Sequence, residues 1–379
     1  MSWRKAIIQG VGASPMGKFP EETPVTLATV AFERALADAG LDKGQVDGLL
    51  TMPGTTAPEG PKNYLNLGER WGINPHLTGS VSMGGATAGA LIQQAALAID
   101  QGMADVVACV FADTAKTGGS RFSASSGGDD AWGVWGMLGN AANSAITASR
   151  YMATYGAGSE QLGWVAVTTR GHARMNPEAI MQKPMTLEDH QASRAIVDPL
   201  RLFDCCLISD GAVCVIVSRP DRAGSAPRPP VYLWGMGQSH TLQTLDHPEW
   251  WYLPHQKDCI SRAYEMAGVG PTDIDVAQLY DNFTISVLLW LEHAGFVGPG
   301  EAGPFVEGGE RIRIGGQLPV NTAGGNLSEA YMQGWLHVVE GVRQVRGECG
   351  ARQVEGAELC LVTGRGMALN TASALVLGR

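Results

Sequence analysis

Lys5-Ala6-Ile7-Ile8-Gln9-Gly10-Val11-Gly12 and Pro230-Val231-Tyr232-Leu233-Trp234-Gly235-Met236-Gly237 are two versions of one pattern, a short apolar run closed by two spaced glycines. Each predicts a buried strand that ends in glycine, and Gly10 and Gly235 lie 225 residues apart. Working outward, each run is followed by an amphipathic helix with an Ala-Gly end, Ala31 to Gly40 in the first case and Ser261 to Gly268 in the second. Glycine just past the last apolar-periodic residue is a helix stop, because it takes the left-handed conformation without a Cβ penalty. Gly40 and Gly268 are 228 residues apart, so the two copies keep register within three residues.

The match continues. Gln45-Val46-Asp47-Gly48-Leu49-Leu50 answers to Asp273-Ile274-Asp275-Val276-Ala277-Gln278-Leu279, and Ala104 to Val110 answers to Ala357 to Val362 as a fully buried strand following a helix. Strands alternating with helices predict an α/β fold whose parallel strands are covered on both faces. The halves are expected at 1–218 and 228–379, joined by the proline-rich stretch from Arg219 to Pro230. An insertion of about 114–198 interrupts the first half. Its opening, 114–130, is rich in Gly, Ser and Thr and predicts a loop. A second irregular stretch, 239–256, carries His240, His247, Trp250, Trp251, Tyr252 and His255. The histidine spacing fits no metal-ligand pattern, so no metal is expected there and an aromatic pocket wall or interface is.

At 379 residues the chain can bury a large core, and its 50 glycines suit many tight strand–helix turns. A net charge of −10 argues against nucleic acid as a partner while leaving room for an anionic group held locally. Met1-Ser2-Trp3-Arg4-Lys5 leads into a strand rather than a secretory apolar region, and no run approaches the ~20 apolar residues of a membrane span, so a cytoplasmic protein is expected. Seven cysteines, an odd number without a C-x-x-C pair, predict reduced thiols, with the adjacent Cys205 and Cys206 packed as core.

The duplicated architecture and its local sequences resemble the thiolase superfamily over nearly the whole chain, in the sterol-carrier and lipid-transfer branch. The likeness is densest from Ala148 to Ser218: Arg150-Tyr151-Met152, His172-Ala173-Arg174-Met175-Asn176-Pro177, Pro199-Leu200-Arg201-Leu202-Phe203-Asp204-Cys205-Cys206 and Ser209-Asp210-Gly211-Ala212. It implies a thiolase fold of two duplicated βαβαβαββ halves stacked as a five-layer α/β/α/β/α sandwich.

The same resemblance locates the chemistry. Thiolases carry a nucleophilic cysteine at a helix N-terminus in Cys-x-x-Gly, where the dipole and a histidine lower its pKa. Here the stretch reads Gly79-Ser80-Val81-Ser82-Met83-Gly84-Gly85-Ala86, with Ser82 at the cysteine place. The family's Cys-x-Gly-x-Gly reads Val362-Thr363-Gly364-Arg365-Gly366. Where sterol-carrier-type thiolases have His-Asp-Cys-Phe, this chain has Tyr280-Asp281-Asn282-Phe283, and their Gly-His-Pro-x-Gly is here Ala330-Tyr331-Met332-Gln333-Gly334. Neither cysteine nor histidine remains, and a tyrosine stands at both base positions.

Three readings stay open on these residues: a carbon–carbon lyase, acyl transfer through another group, and a catalytically inactive scaffold subunit. The paired tyrosines favour the lyase. They resemble the cysteine-less steroid side-chain retro-aldolases, which cleave β-hydroxyacyl-CoA thioesters. On that resemblance Tyr280 removes the hydroxyl proton as a phenolate of lowered pKa, and Tyr331 protonates the enolate carbon. Backbone N–H groups at Gly84, Gly85, Gly364 and Gly366 are candidates for the oxyanion hole, with Asn282 and Asn321 as polar supports. Trp132, Trp135, Trp250 and Trp251 are candidate walls for a bulky acyl group. The resemblance further implies a homodimer, a separately encoded partner with a zinc ribbon and an OB-like domain, and no cofactor beyond the coenzyme A of the substrate.

Overall fold

The computed structural model describes residues 4–56, 60–119, 139–241, 250–366 and 371–379. Most of the 114–130 loop, with Trp132, Trp135 and His247, lies outside the described residues. The first half runs β1 (Ile7–Ala13), α1 (Pro24–Ala39), β2 (Gly48–Met52), α2 (Asn63–Trp71), β3 (Leu77–Ser80), α3 (Thr87–Asp100) and β4 (Val106–Thr114). An excursion of α4 (Gly139–Tyr155), α5 (Ser159–Ala173), α6 (Leu187–Ala192), β5 (Ala195–Val197) and β6 (Leu200–Arg201) follows, before β7 (Asp210–Ser218) returns to the sheet. The second half runs β8 (Val231–His240), α7 (His255–Ala267), β9 (Val276–Gln278), α8 (Thr284–His293), α9 (Ala302–Val306), α10 (Gly325–Ser328), α11 (Trp335–Arg346), β10 (Leu359–Gly366) and β11 (Thr371–Gly378).

Nine strands form one sheet in the order β3-β2-β4-β7-β1-β8-β11-β10-β9. Read from the centre outward, β1, β7, β4 and β2 mirror β8, β11, β10 and β9, and Val320, bridged to Ala277, takes the outer place that β3 holds in the first half. The two half-sheets are joined at Ile7↔Tyr232 and Ile8↔Val231, so the ladder is continuous rather than split in two. Side chains alternate along each strand between two cores, which is why the strand sequences read as unbroken apolar runs. Val106, Ala108 and Val110 face α1 and α2, while Val107, Cys109 and Phe111 face α3 and α11. In the second half Cys360 and Val362 join that same middle core, and Leu361 turns to the one beneath α7 and α8. Helix, sheet, helix, sheet and helix follow in turn, a thiolase-type sandwich of five layers.

The repeated glycines have one physical cause. A methyl carbon built on Gly10 or Gly12 would stand 2.3 Å from Ala35 O or 2.2 Å from Ala31 O, and on Gly235 or Gly237 2.0 Å from Ala263 O or 1.9 Å from Cys259 O. Glycine lets α1 and α7 lie backbone-close against their strands. The matching stops are Gly40 at φ 67° and Gly268 at φ 71°. At its other end α1 starts on a Thr23–Thr26 capping box followed by Pro24.

Several local expectations change. Helix α7 begins at His255, six residues before the predicted Ser261, and β8 runs on to His240, which narrows the second irregular stretch. Cys205 and Cys206 pack against the core beneath α7 and α8, as expected, but are only half-buried, on a segment that pairs with Phe283 and Asn282. All seven cysteines are free. Among the described residues no group of His, Cys, Asp and Glu is arranged to hold a metal ion, and no helix is long and apolar enough to cross a membrane.

Candidate active site

Tyr280 lies two residues past the C-terminal end of β9, and the chain there is fixed from three sides. The Tyr280 N–H donates to Thr363 Oγ1 of β10 at 3.0 Å. Asn321, at φ 52°, clamps the preceding peptide: its Nδ2 donates to Leu279 O at 2.8 Å and its Oδ1 accepts from Leu279 N at 2.7 Å. His337 Nε2 reaches Leu279 O at 3.1 Å and Asp281 Oδ1 at 3.0 Å. Asn321 is itself held by the insertion. His172 Nδ1 donates to Asn321 O at 3.2 Å, while Ile314 N–H donates to His172 Nε2 at 3.1 Å, which fixes a neutral tautomer. Burial agrees, lowering the His172 pKa to about 4.

Tyr331 sits on the turn between α10 and α11, its N–H bonded to Ser209 Oγ at 3.2 Å. The two phenol oxygens meet at 3.1 Å, and Tyr331 Oη donates to Gln333 Oε1 at 2.9 Å. Tyr280 is 2% exposed and Tyr331 8%. Burial pushes both phenols up. For Tyr280 the Tyr331 hydroxyl and the charge of Arg365 pull the other way without reversing it. For Tyr331 the nearby Tyr280 and Cys206 add to the rise. The standing phenolate expected at Tyr280 is therefore corrected: desolvation disfavours the charged form, and the resting pair is neutral.

The ring of Tyr280 lies in a slot between two glycines. A methyl carbon on Gly85 would fall 2.1 Å from Tyr280 Cζ and 2.3 Å from its hydroxyl oxygen, and one on Gly334, at φ 82°, would lie 3.0 Å from Cδ2. Position 85, just ahead of α3, is the one that faces Tyr280, and it has no side chain. Ser82 is exposed on the turn before it. The serine assigned to the nucleophile place is thus displaced outward, and a phenol fills the space where a side chain at 85 would project.

The other predicted residues separate by role. Gly364 and Gly366 do come against the Met83–Gly85 turn: built methyl carbons would stand 2.5 Å from Gly85 O and 1.8 Å from Met83 O. Close backbone approach explains these glycines, and Gly84 adopts φ 55° in the same turn. Asn321 is a clamp on the Leu279 peptide rather than a group facing the phenols. Asn282, half-buried, accepts from Ser286 Oγ at 2.9 Å and from Arg365 Nη2 at 3.2 Å. Sequence reasoning missed Arg365, Gln333, His337 and Asp281. Arg365 was legible in principle, as a cation between two glycines on a strand, where two-residue alternation sets its side chain on the face opposite them.

A family model described as Thiolase C-terminal domain-like matches residues 237–379. The steroid side-chain-cleaving aldolase of Thermomonospora curvata is 38% identical over 391 aligned residues, covering 98% of this chain and 97% of the relative. The 17-hydroxy-3-oxo-4-pregnene-20-carboxyl-CoA lyase of Mycobacterium tuberculosis is 39% identical, with 99% of each chain covered. A solved structure named Ltp2-ChsH2(DUF35) aldolase superposes with a TM-score of 0.90 at 39% identity, over 99% of this chain and 97% of that one. With tyrosines at both base positions and no cysteine at the nucleophile place, the chain is an enzyme of the thiolase superfamily, in the branch that holds the steroid side-chain aldolases.

Proposed function

We propose that this enzyme cleaves a β-hydroxyacyl-CoA thioester with a steroid or similarly bulky side chain by a retro-aldol step, giving a ketone or aldehyde and a shorter acyl-CoA. The observation that carries the reading is the pair of hydroxyls 3.1 Å apart, with that of Tyr280 seated where a side chain at position 85 would have to be. Such a site has no thiolate to accept an acyl group, but it has two hydroxyls able to exchange protons. The names of the two relatives support the substrate class, since one is a steroid side-chain-cleaving aldolase and the other a carboxyl-CoA lyase.

Because the pair is neutral at rest, the step is a relay. The substrate β-hydroxyl gives its proton to Tyr280 Oη as the Tyr280 proton crosses to Tyr331, and Tyr331 delivers its own to the α-carbon. The Cα–Cβ electron pair passes into the thioester as an enolate and returns to the α-carbon with that proton, while the β-carbon leaves as a carbonyl. No net proton is lost or gained. General acid–base help of this kind contributes about 10²–10⁴-fold. Asn321, His172 and His337 hold the Leu279–Asp281 peptide so that the Tyr280 ring cannot drift. Pairing into a homodimer and work with a separately encoded zinc-ribbon/OB-type protein belong to the same reading. The name of the related structure, which couples Ltp2 to ChsH2(DUF35), supports the second of these.

The test is incubation of the purified chain with a panel of β-hydroxyacyl-CoA thioesters, with and without free coenzyme A. A shorter acyl-CoA and a carbonyl product formed without added coenzyme A support the lyase. Turnover only with free coenzyme A points to thiolysis. No turnover, even with the zinc-ribbon partner, leaves a scaffold.

A further inference from the structure

Where β10 passes the tyrosines it presents two faces. Gly364 and Gly366 lie against the Met83–Gly85 turn. Thr363 and Arg365, on the other face by strand alternation, address the segment from Tyr280 to Asn282: Thr363 Oγ1 accepts from Tyr280 N at 3.0 Å, and Arg365 Nη2 donates to Asn282 Oδ1 at 3.2 Å. Arg365 is 2% exposed, and its Nη1 has no hydrogen-bond partner among the described residues. Among the described residues its Nη2 donates to the neutral amide of Asn282, and no carboxylate forms an ion pair with it.

A buried guanidinium is costly unless a counter-charge or a full set of acceptors accompanies it. Other buried arginines of the molecule find such partners or an aromatic face. Arg352 pairs with Glu340 at 3.1 Å and Arg346 with Asp38 at 2.7 Å. Arg170 gives its Nε to Ser328 Oγ at 2.9 Å and its face to the Phe203 ring. Arg365 instead has no ion-pair partner among the described residues, and its charge acts on the two neutral phenols. Around Tyr280 the titratable groups among the described residues are Tyr331, Cys206, Asp281, His337 and Arg365, with Asp113 acting on Tyr331. Arg365 is the cation of that set: burial lowers its pKa to about 10, which leaves it charged at neutral pH.

We propose that Arg365 is the counter-charge of the tyrosine pair, left without a carboxylate so that the negative charge appearing on Tyr280 Oη, as its proton leaves ahead of the arrival of the substrate's, has a cation in the same buried site. The inference rests on the relay above and adds the residue that sets how readily Tyr280 bears charge. Arg365 acts through the phenol, as a positioning residue for charge, and its field works at full strength because water is excluded around it.

The experiment replaces Tyr280 with a fluorinated tyrosine, whose more acidic phenol ionises at milder pH, and follows its titration by ¹⁹F chemical shift. Arg365→Gln keeps a donor for Asn282 and removes the charge. It is expected to raise the midpoint by at least about one pH unit, as loss of a neighbouring cation does. In the unlabelled enzyme it is expected to lower turnover roughly 10²-fold. Arg365→Lys, which keeps the charge, is expected to shift the midpoint by less than half as much. Arg365→Met serves as the second neutral variant should the glutamine protein fold poorly. An unmoved midpoint in a folded neutral variant, alongside an inactive Tyr280→Phe, overturns this inference alone. Full turnover in Tyr280→Phe overturns the relay on which it rests.

Discussion

Gly237 in β8 and Gly85 ahead of α3 lack a side chain for the same steric reason, because something already occupies the space, but the occupants differ. Over Gly237 it is the carbonyl of Cys259 in α7, at 1.9 Å from a built methyl carbon. Over Gly85 it is the phenol of Tyr280, at 2.1 Å. The first contact is backbone on strand, recurs at Gly12 in the other half, and sets how the layers stack. The second is a side chain in a slot, has no counterpart in the repeat, and sets the chemistry. Duplication preserved the frame in both halves and left the tyrosines to one of them.

Substitution separates the two regions. The largest effect is expected at the frame: Gly237→Ala drives a methyl into rigid helix backbone, and the cost should reach roughly 3 kcal/mol, at the upper end for overpacking. Chemical denaturation reads it, and a loss below 1 kcal/mol would mean that α7 slides freely on β8. Next come Tyr280→Phe and Tyr331→Phe, each expected to lower turnover at least ~10²-fold while the fold persists, since the ring and its packing remain. If the two share one proton sequence, the double variant should be far less impaired than the product of the singles. Near-normal turnover in both singles would remove the relay.

Gly85→Ala tests the slot itself. The methyl displaces the phenol, so turnover should fall at least ~10-fold, as it does when a catalytic group is misplaced by about 1 Å. A fully active alanine variant would show that the ring position is unimportant.

The dependence of stability on pH is smaller and comes from both regions together. Buried Tyr151, Tyr264, Tyr280 and Tyr331 and half-buried Tyr252 all have raised phenol pKa values. Between the unfolded value of about 10 and these higher folded values, the folded chain binds more protons than the unfolded one. The stability they contribute is therefore complete below about pH 10 and lost as pH rises beyond it. His172 and His293 are lowered by burial to about 4 and about 3, so there the unfolded chain binds more protons. Their contribution is present above about pH 6.5 and lost as pH falls toward those values. A melting temperature flat between these limits and falling on both sides is expected from calorimetry, and a rise above pH 10 would contradict the assignment. The smallest effect is Ser82→Ala, expected to leave turnover within about twofold because the hydroxyl is exposed and away from the phenols. An acyl-Ser82 ester trapped in mass spectrometry would reverse that.

Much of the frame could be read from the residues alone. The paired glycines at 10, 12, 235 and 237, the Ala-Gly helix stops and the unbroken apolar strands are local signals tied to backbone conformation and two-sided burial, and both leave marks in sequence. The tyrosine places could be read because they sit at fixed points of that frame. What only tertiary structure decided depends on which groups meet. Ser82 and Gly85 are three residues apart on one glycine-rich turn, and the fold alone determines which of them faces Tyr280. Asn321 reads as a polar support and becomes a clamp only when Leu279 lies beside it. The charge state of the phenols depends on how completely they are desolvated and on Arg365, more than eighty residues along the chain from Tyr280. Burial and proximity are properties of the packed molecule, so the sequence could name the two tyrosines but not say that they rest neutral.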